Sequence, residues 1–170
     1  MSNFSPTAPR PHAETLAPHA AHAAAAGPPR GGLDEAAPDD ARRSAETGVP
    51  RALVVDDAPD VAEMVTILLR HAGYEVETAL SARDALEAAR GARFDVVVSD
   101  IGMPEMNGYE LAERLRSMPE YASIPMVAVT GFTMYDDRAR AHAAGYDGFL
   151  TKPINTRDLV DLLARLREQR

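Results

Sequence analysis

Val96-Val97-Val98, set between Phe94 and Asp100, is apolar at every position, and this constrains the fold more than any other feature of the 170 residues. A strand with water on one side alternates apolar and polar side chains. A strand apolar on both faces needs cover on both, and the sheets so covered are parallel ones with helices on each side. The same texture recurs along the chain. Ala52–Val55 is a short apolar run that stops at Asp56-Asp57, Met126–Val129 follows Pro125 and stops at Thr130-Gly131, and Gly148–Leu150 leads into Lys152-Pro153. Tyr74–Thr78, with Val76 inside, reads as the remaining strand.

The intervening stretches have helical periodicity. Pro59 suits a first helical turn, and Val61, Met64, Val65, Leu68, Leu69 and Ala72 repeat at three and four before Gly73 closes the helix. Ser81 with Asp84 predicts a capped start for a helix carrying Ala85, Leu86 and Ala89, ended by Gly91. Asn107 with Glu110 predicts another, carrying Leu111 and Leu115 and stopped by Pro119. A polar, Ala-rich helix is expected over Met134–Ala144, and Asn155 with Asp158 caps a last one with Leu159, Leu162, Leu163 and Leu166 on its face.

Five strands alternating with five helices predict a doubly wound α/β fold with right-handed crossovers. Such sheets bind ligands outside the carboxyl ends of their strands. Here Asp56 and Asp57 follow strand one, Asp100 follows strand three, Thr130 follows strand four and Lys152 follows strand five. Four of five strand ends thus place a charged or hydroxyl group on one rim. Strand two, which runs through Thr78 into the apolar Ala79-Leu80, offers no such group beyond its end and is expected at the outer edge.

Residues 1–48 differ in kind from the rest. They hold 13 Ala, seven Pro and four Gly, while Met1, Phe4, Leu16 and Leu33 are their only large apolar residues. So little apolar surface cannot offset the entropy of ordering, and a disordered extension is expected there, with the folded domain over 49–170. Pro6, Pro9, Pro11, Glu14 and Pro18 interrupt any signal-peptide core. No apolar run reaches the roughly 18 residues of a membrane span. The net charge of −8 argues against sequence-independent nucleic-acid binding, and the absence of Cys excludes disulfides, thiolate metal sites and thiol nucleophiles. A cytoplasmic location fits.

The rim residues suggest a chemistry. Three carboxylates within about 5 Å repel by roughly 3 kcal/mol per pair at an effective dielectric of 20, so they stay ionised together only around something positive. Oxygen donors without His or Cys favour Mg²⁺ or Mn²⁺ over zinc. Lys152 adds a point charge suited to a phosphoryl oxygen, and the Thr130 hydroxyl can donate to another. These are the parts for phosphoryl transfer onto an Asp side chain.

At these residues the chain resembles response regulator receiver domains. Leu53-Val54-Val55-Asp56-Asp57, Ser99-Asp100-Ile101-Gly102-Met103-Pro104, Val129-Thr130-Gly131 and Leu150-Thr151-Lys152-Pro153 carry the likeness, in order and spacing, over about residues 50–169. Met106-Asn107-Gly108-Tyr109-Glu110-Leu111 is similar to the receivers of hybrid histidine kinases. The resemblance implies a flavodoxin-like (βα)5 sheet of order 2-1-3-4-5. It implies Asp100 as phosphoacceptor and Asp57 and Asp100 as direct Mg²⁺ ligands, with Asp56 acting mostly through water and the Gly102 carbonyl as the third protein ligand. It further implies Thr130 and Lys152 as the groups that meet the acyl phosphate, a cis Lys152–Pro153 bond, and a switch in which Thr130 moves inward and Phe149 follows. Phe149 stands where the family often has Tyr, so a contact through a Tyr hydroxyl is not available. Gly102 and Phe132 occupy the two variable positions that tune hydrolysis. Gly102 offers no side chain to orient water and Phe132 can shield the phosphate, so slow hydrolysis is expected.

The expected partners are a histidine kinase or histidine phosphotransfer protein upstream and a protein target downstream, met through helix four, strand five and helix five. A phosphorylation-dependent dimer is one form the output can take. The end of helix one near Leu69 and Ala72 is the other expected docking surface. No effector domain follows helix five, so a stand-alone signalling domain rather than a turnover enzyme is expected. Two alternatives stay open: a degenerate receiver acting as a scaffold, and a haloacid-dehalogenase-like phosphatase, which would need a second acid two residues after its nucleophile, where this chain has Gly102.

Overall fold

The computed structural model describes residues 48–131 and 137–169. The extension expected over 1–48 lies, Gly48 apart, outside the described residues, as do Phe132 and the first residues of the helix expected from Met134.

Among the described residues, five strands alternate with five helices: β1 (Arg51–Val55), α1 (Pro59–His71), β2 (Glu75–Ala79), α2 (Ala82–Gly91), β3 (Val96–Asp100), α3 (Gly108–Arg116), β4 (Met126–Thr130), α4 (Asp137–Ala144), β5 (Gly148–Thr151) and α5 (Thr156–Glu168), with a 3₁₀ turn at Pro119–Tyr121. The strands form one parallel sheet in the order β2-β1-β3-β4-β5, as the strand-end pattern and the resemblance implied.

Strand periodicity sorts the core into two layers. Leu53, Val55, Val97, Met126 and Ala128 face one side and pack on α2, α3 and α4 through Leu86, Leu111, Leu115 and Ala141. Ala52, Val54, Val96, Val98, Val127 and Val129 face the other and pack on α1 and α5 through Val65, Leu69, Leu159 and Leu163. Every residue of β3 and β4 is buried, which explains their unbroken apolar runs.

Local signals set the helix ends. The Asn107 side chain accepts from the Glu110 amide at 3.0 Å and the Glu110 carboxylate accepts from the Asn107 amide at 3.1 Å, a complete capping box. Ser81 caps α2 by accepting from the Asp84 amide at 3.1 Å. Asn155 accepts instead from Arg157, one residue earlier than the Asp158 spacing suggested. At the end of α1, Gly73 adopts φ +91° while its amide donates to the Arg70 carbonyl and the Tyr74 amide to the Leu69 carbonyl, a Schellman closure.

Two expectations need correction. The sequence reads strand three as Phe94–Ser99; Phe94 is fully buried but precedes β3, because pairing starts with Ala52 opposite Val96, and the strand runs one residue further to Asp100. The buried face of α1 is Ala62, Val65, Thr66 and Leu69, whereas Met64 and Ile67 are exposed. Thr66 can enter the core because its hydroxyl pairs with that of Thr78 on β2 at 2.9 Å. Leu69 therefore belongs to the core and is no docking residue.

Candidate functional site

β1 and β3 lie side by side, so the residues that end them emerge together. Asp56, Asp57 and Asp100 each offer a carboxylate oxygen, and these oxygens all lie within 4.8 Å of one another. At that spacing like charges repel by about 3 kcal/mol per pair at an effective dielectric of 20. Asp56 and Asp100 are buried and Asp57 is exposed, so the crevice opens to water on one side.

Lys152 reaches the same point from beyond β5. Its Nζ donates to Asp56 Oδ2 at 2.8 Å and lies 3.0 Å from Asp100 Oδ1. Partial burial pulls this ammonium toward deprotonation, but its bonds to Asp56 and Asp100 outweigh that and hold its pKa above that of a free lysine. One ammonium offsets only part of three carboxylates. The second oxygens of Asp56 and Asp100 are fixed by backbone donors: Asp56 Oδ1 accepts from the Ala58 amide and Asp100 Oδ2 from the Gly102 amide, both at 2.9 Å.

The other strand ends complete the rim. Thr130 ends β4, is buried, and sits opposite Thr151 in the β4–β5 register, while Asp100 sits opposite Val129. The Lys152 amide donates to the Thr130 carbonyl at 2.8 Å and the Lys152–Pro153 peptide is cis, as the resemblance implied. Phe149, at the start of β5, is half-buried against the α2–α4 layer with the Arg138 guanidinium 5.7 Å from its ring centre.

The donor set fits a hard divalent cation. It is all oxygen, it carries excess negative charge, and its open side leaves room for the waters that Mg²⁺ keeps. Asp56, Asp57 and Asp100 are the side chains able to hold such an ion.

Comparison with known proteins now bears on this rim. Residues 52–164 match the family model of the response regulator receiver domain. The chain belongs to that family. The receiver is 36% identical over 111 residues to an uncharacterized 14.6 kDa protein of Leptolyngbya boryana, covering 65% of this chain and 85% of that one. It is 40% identical over 108 residues to the probable transcriptional regulatory protein TcrX of Mycobacterium tuberculosis, covering 64% of this chain and 45% of that one. It superimposes on chemotaxis protein CheY4 of Vibrio cholerae with a TM-score of 0.67 at 39% identity, over 69% of this chain and 98% of that one. The chain spans about half the length of the transcriptional regulators it matches. It is thus a receiver domain of the response regulators of two-component systems. Among the described residues, no helix is long and apolar enough to cross a membrane.

Sequence reasoning placed Asp56, Asp57, Asp100, Thr130 and Lys152 on one rim, and the receiver brings Asp56, Asp57, Asp100 and Lys152 into one cluster. It missed the layer behind Asp100. There the Ser99 hydroxyl donates to the Asp100 carbonyl at 2.8 Å, and Gly108 approaches so closely that a Cβ on it would stand 2.3 Å from that same oxygen. A glycine as the first residue of a capped helix, where most residues form helix better, was the available signal.

Proposed function

We propose that this receiver accepts a phosphoryl group on Asp100 from a phosphohistidine of a kinase or phosphotransfer protein, with a divalent cation held by Asp56, Asp57 and Asp100. An Asp100 carboxylate oxygen attacks phosphorus, the bond from phosphorus to the imidazole nitrogen breaks, and that nitrogen keeps the electron pair. The bound cation, Mg²⁺ or Mn²⁺, supplies positive charge against the phosphoryl oxygens and the crowded carboxylates. Lys152, already bonded to Asp56 and Asp100, stays charged and neutralises a phosphoryl oxygen, and Thr130 donates its hydroxyl to another. Gly102, through its backbone carbonyl, is the remaining candidate ligand. The catalytic work is positioning and charge neutralisation.

The observation that carries this reading is the meeting of three carboxylates and one lysine at the carboxyl rim of the sheet. It favours a responsive receiver over a scaffold, because a binding scaffold has no use for a rim of mutually repelling acids. Phosphorylation adds roughly −1.5 to −2 charges beside Thr130. The face formed by α4, β5 and α5, which includes Phe149, is where that change can reach a protein target or a second copy. The domain signals rather than turning over substrate, and the exposed Asp57 side of the crevice is where the donor enters.

Incubation with Mg²⁺ and acetyl phosphate, followed by intact mass measurement, tests this reading. One labile phosphoryl group per chain is expected, absent in Asp100→Asn. Continuous turnover of the donor would indicate a phosphatase, and no change would indicate a scaffold. Loss of the phosphoryl group is expected to be slow, and faster in Phe132→Asn; equal lifetimes count against shielding by Phe132.

A further inference from the structure

Behind Asp100 the receiver buries a tyrosine hydroxyl that the proposed chemistry does not use. Tyr146, between α4 and β5, is 4% exposed, and its hydroxyl donates to the Gly108 carbonyl at 2.8 Å. Gly108 is the first residue of α3, and its amide donates to the Ile101 carbonyl at 2.9 Å. Any Cβ at position 108 would stand 2.8 Å from the Ile101 Cα and 3.0 Å from the Tyr146 hydroxyl. The buried Ser99 hydroxyl closes the layer by donating to the Asp100 carbonyl. Burial above all, with the Asp100 charge adding to it and the Ser99 hydroxyl opposing, pushes the Tyr146 phenol well above its ordinary range, so it remains a donor.

We propose that Tyr146 is a positioning residue for Asp100, pinning Gly108 and the start of α3 against the Asp100-Ile101 main chain so that the carboxylate keeps its place in the acidic crevice. The inference rests on the reading of Asp100 as phosphoacceptor. Asp100 Oδ2 is held by the amide of Gly102, within the loop that Ile101 and Gly108 anchor. Without the Tyr146 hydroxyl the tie between Gly108 and the α4–β5 connection is lost, and the loop relaxes at the point where Asp100 must meet an incoming phosphorus.

Tyr121 provides a matched control. It is 1% exposed and its hydroxyl donates to the Ala92 carbonyl at 2.7 Å, but it sits near Phe94 and Arg51, at the opposite end of the sheet. Tyr146→Phe and Tyr121→Phe each remove one buried hydroxyl from one carbonyl, so similar falls in melting temperature are expected. Only Tyr146→Phe is expected to slow phosphoryl uptake from acetyl phosphate at saturating Mg²⁺, by about three- to tenfold, the change that loss of one hydrogen bond corresponds to. Equal uptake rates in the two variants overturn the inference and leave the phosphoacceptor reading intact. A wild-type chain that takes up no phosphoryl group overturns that reading and this inference with it. Should Tyr146→Phe not fold, Ser99→Ala replaces it as the variant of the same layer, with the same slowing expected and a Tyr121→Phe-like rate overturning the proposal.

Discussion

Asp57 carries the conflict between stability and function most plainly, because it adds a third negative charge within 4.8 Å of Asp56 and Asp100 yet is exposed enough to be replaced without a cavity. Asp57→Asn relieves repulsion while keeping the Lys152 bonds to the other two acids. In metal-free buffer its melting temperature is expected to rise by about 2–4 °C, and added Mg²⁺ is expected to raise that of the wild type but not of the variant. Calorimetric melting with and without Mg²⁺ reads both. Tyr121 shares the alkaline limit with Tyr146, whose phenol is also pushed up by burial. Burial above all raises the Tyr121 phenol to about 12, so above pH 10 the unfolded chain gives up a proton that the folded one retains. Stability is therefore level below pH 10 and falls as pH rises through 10 to 12. The raised Lys152 pKa acts in the same direction over the top of that window. Urea midpoints measured from pH 7 to 11 are expected to show this fall, and Tyr121→Phe is expected to soften it.

At the scale of the elements, Arg116 binds parts that no local pattern joins. From the end of α3 its guanidinium donates to the carbonyls of Tyr121, Ile124 and Gly145 and pairs with Asp147 at 2.8 Å. It ties the turn before β4 to the loop before β5, and Asp147 in turn accepts from the Met126 amide at 2.9 Å. Arg116→Met is expected to cost about 2–3 kcal/mol in urea unfolding, and Arg116→Lys to recover little of it because an ammonium lacks the planar fork. α4 is held more loosely: it buries only Ala141 and Ala144, and Tyr109 anchors it by donating to Asp137 at 3.3 Å and by lying under the Arg140 guanidinium. Hydrogen exchange is expected to show α4 as less protected than α1, α2, α3 and α5. These features also mark where the sequence stopped being legible. Capping at Ser81 and Asn107, and the strands apolar on both faces, are local and could be read directly. Arg116 could not, because its partners are main-chain carbonyls and the Asp147 carboxylate, up to 31 residues away. The buried face of α1 was misplaced because nothing local separates Met64 from Ala62, and Thr66 enters the core only through a partner on β2.

At the scale of the whole molecule, the sheet gathers chemistry from distant stretches of chain onto one rim. The order β2-β1-β3-β4-β5 puts β1 and β3 side by side, so acids 44 positions apart become neighbours, and Lys152 returns to them past β5. That much of the site was readable, because apolar runs ending in charged residues specify both strand and rim. The Tyr146–Gly108 contact was not, since it joins positions 38 apart through a side chain that reads as ordinary core. The central claim is that this rim holds a divalent cation at Asp56, Asp57 and Asp100. Isothermal titration of Mg²⁺ into the wild-type chain and Asp57→Asn at neutral pH tests it most directly. A single saturable site in the wild type that disappears in Asp57→Asn is expected. Absence of binding in the wild type, or equal binding in both, would contradict the account.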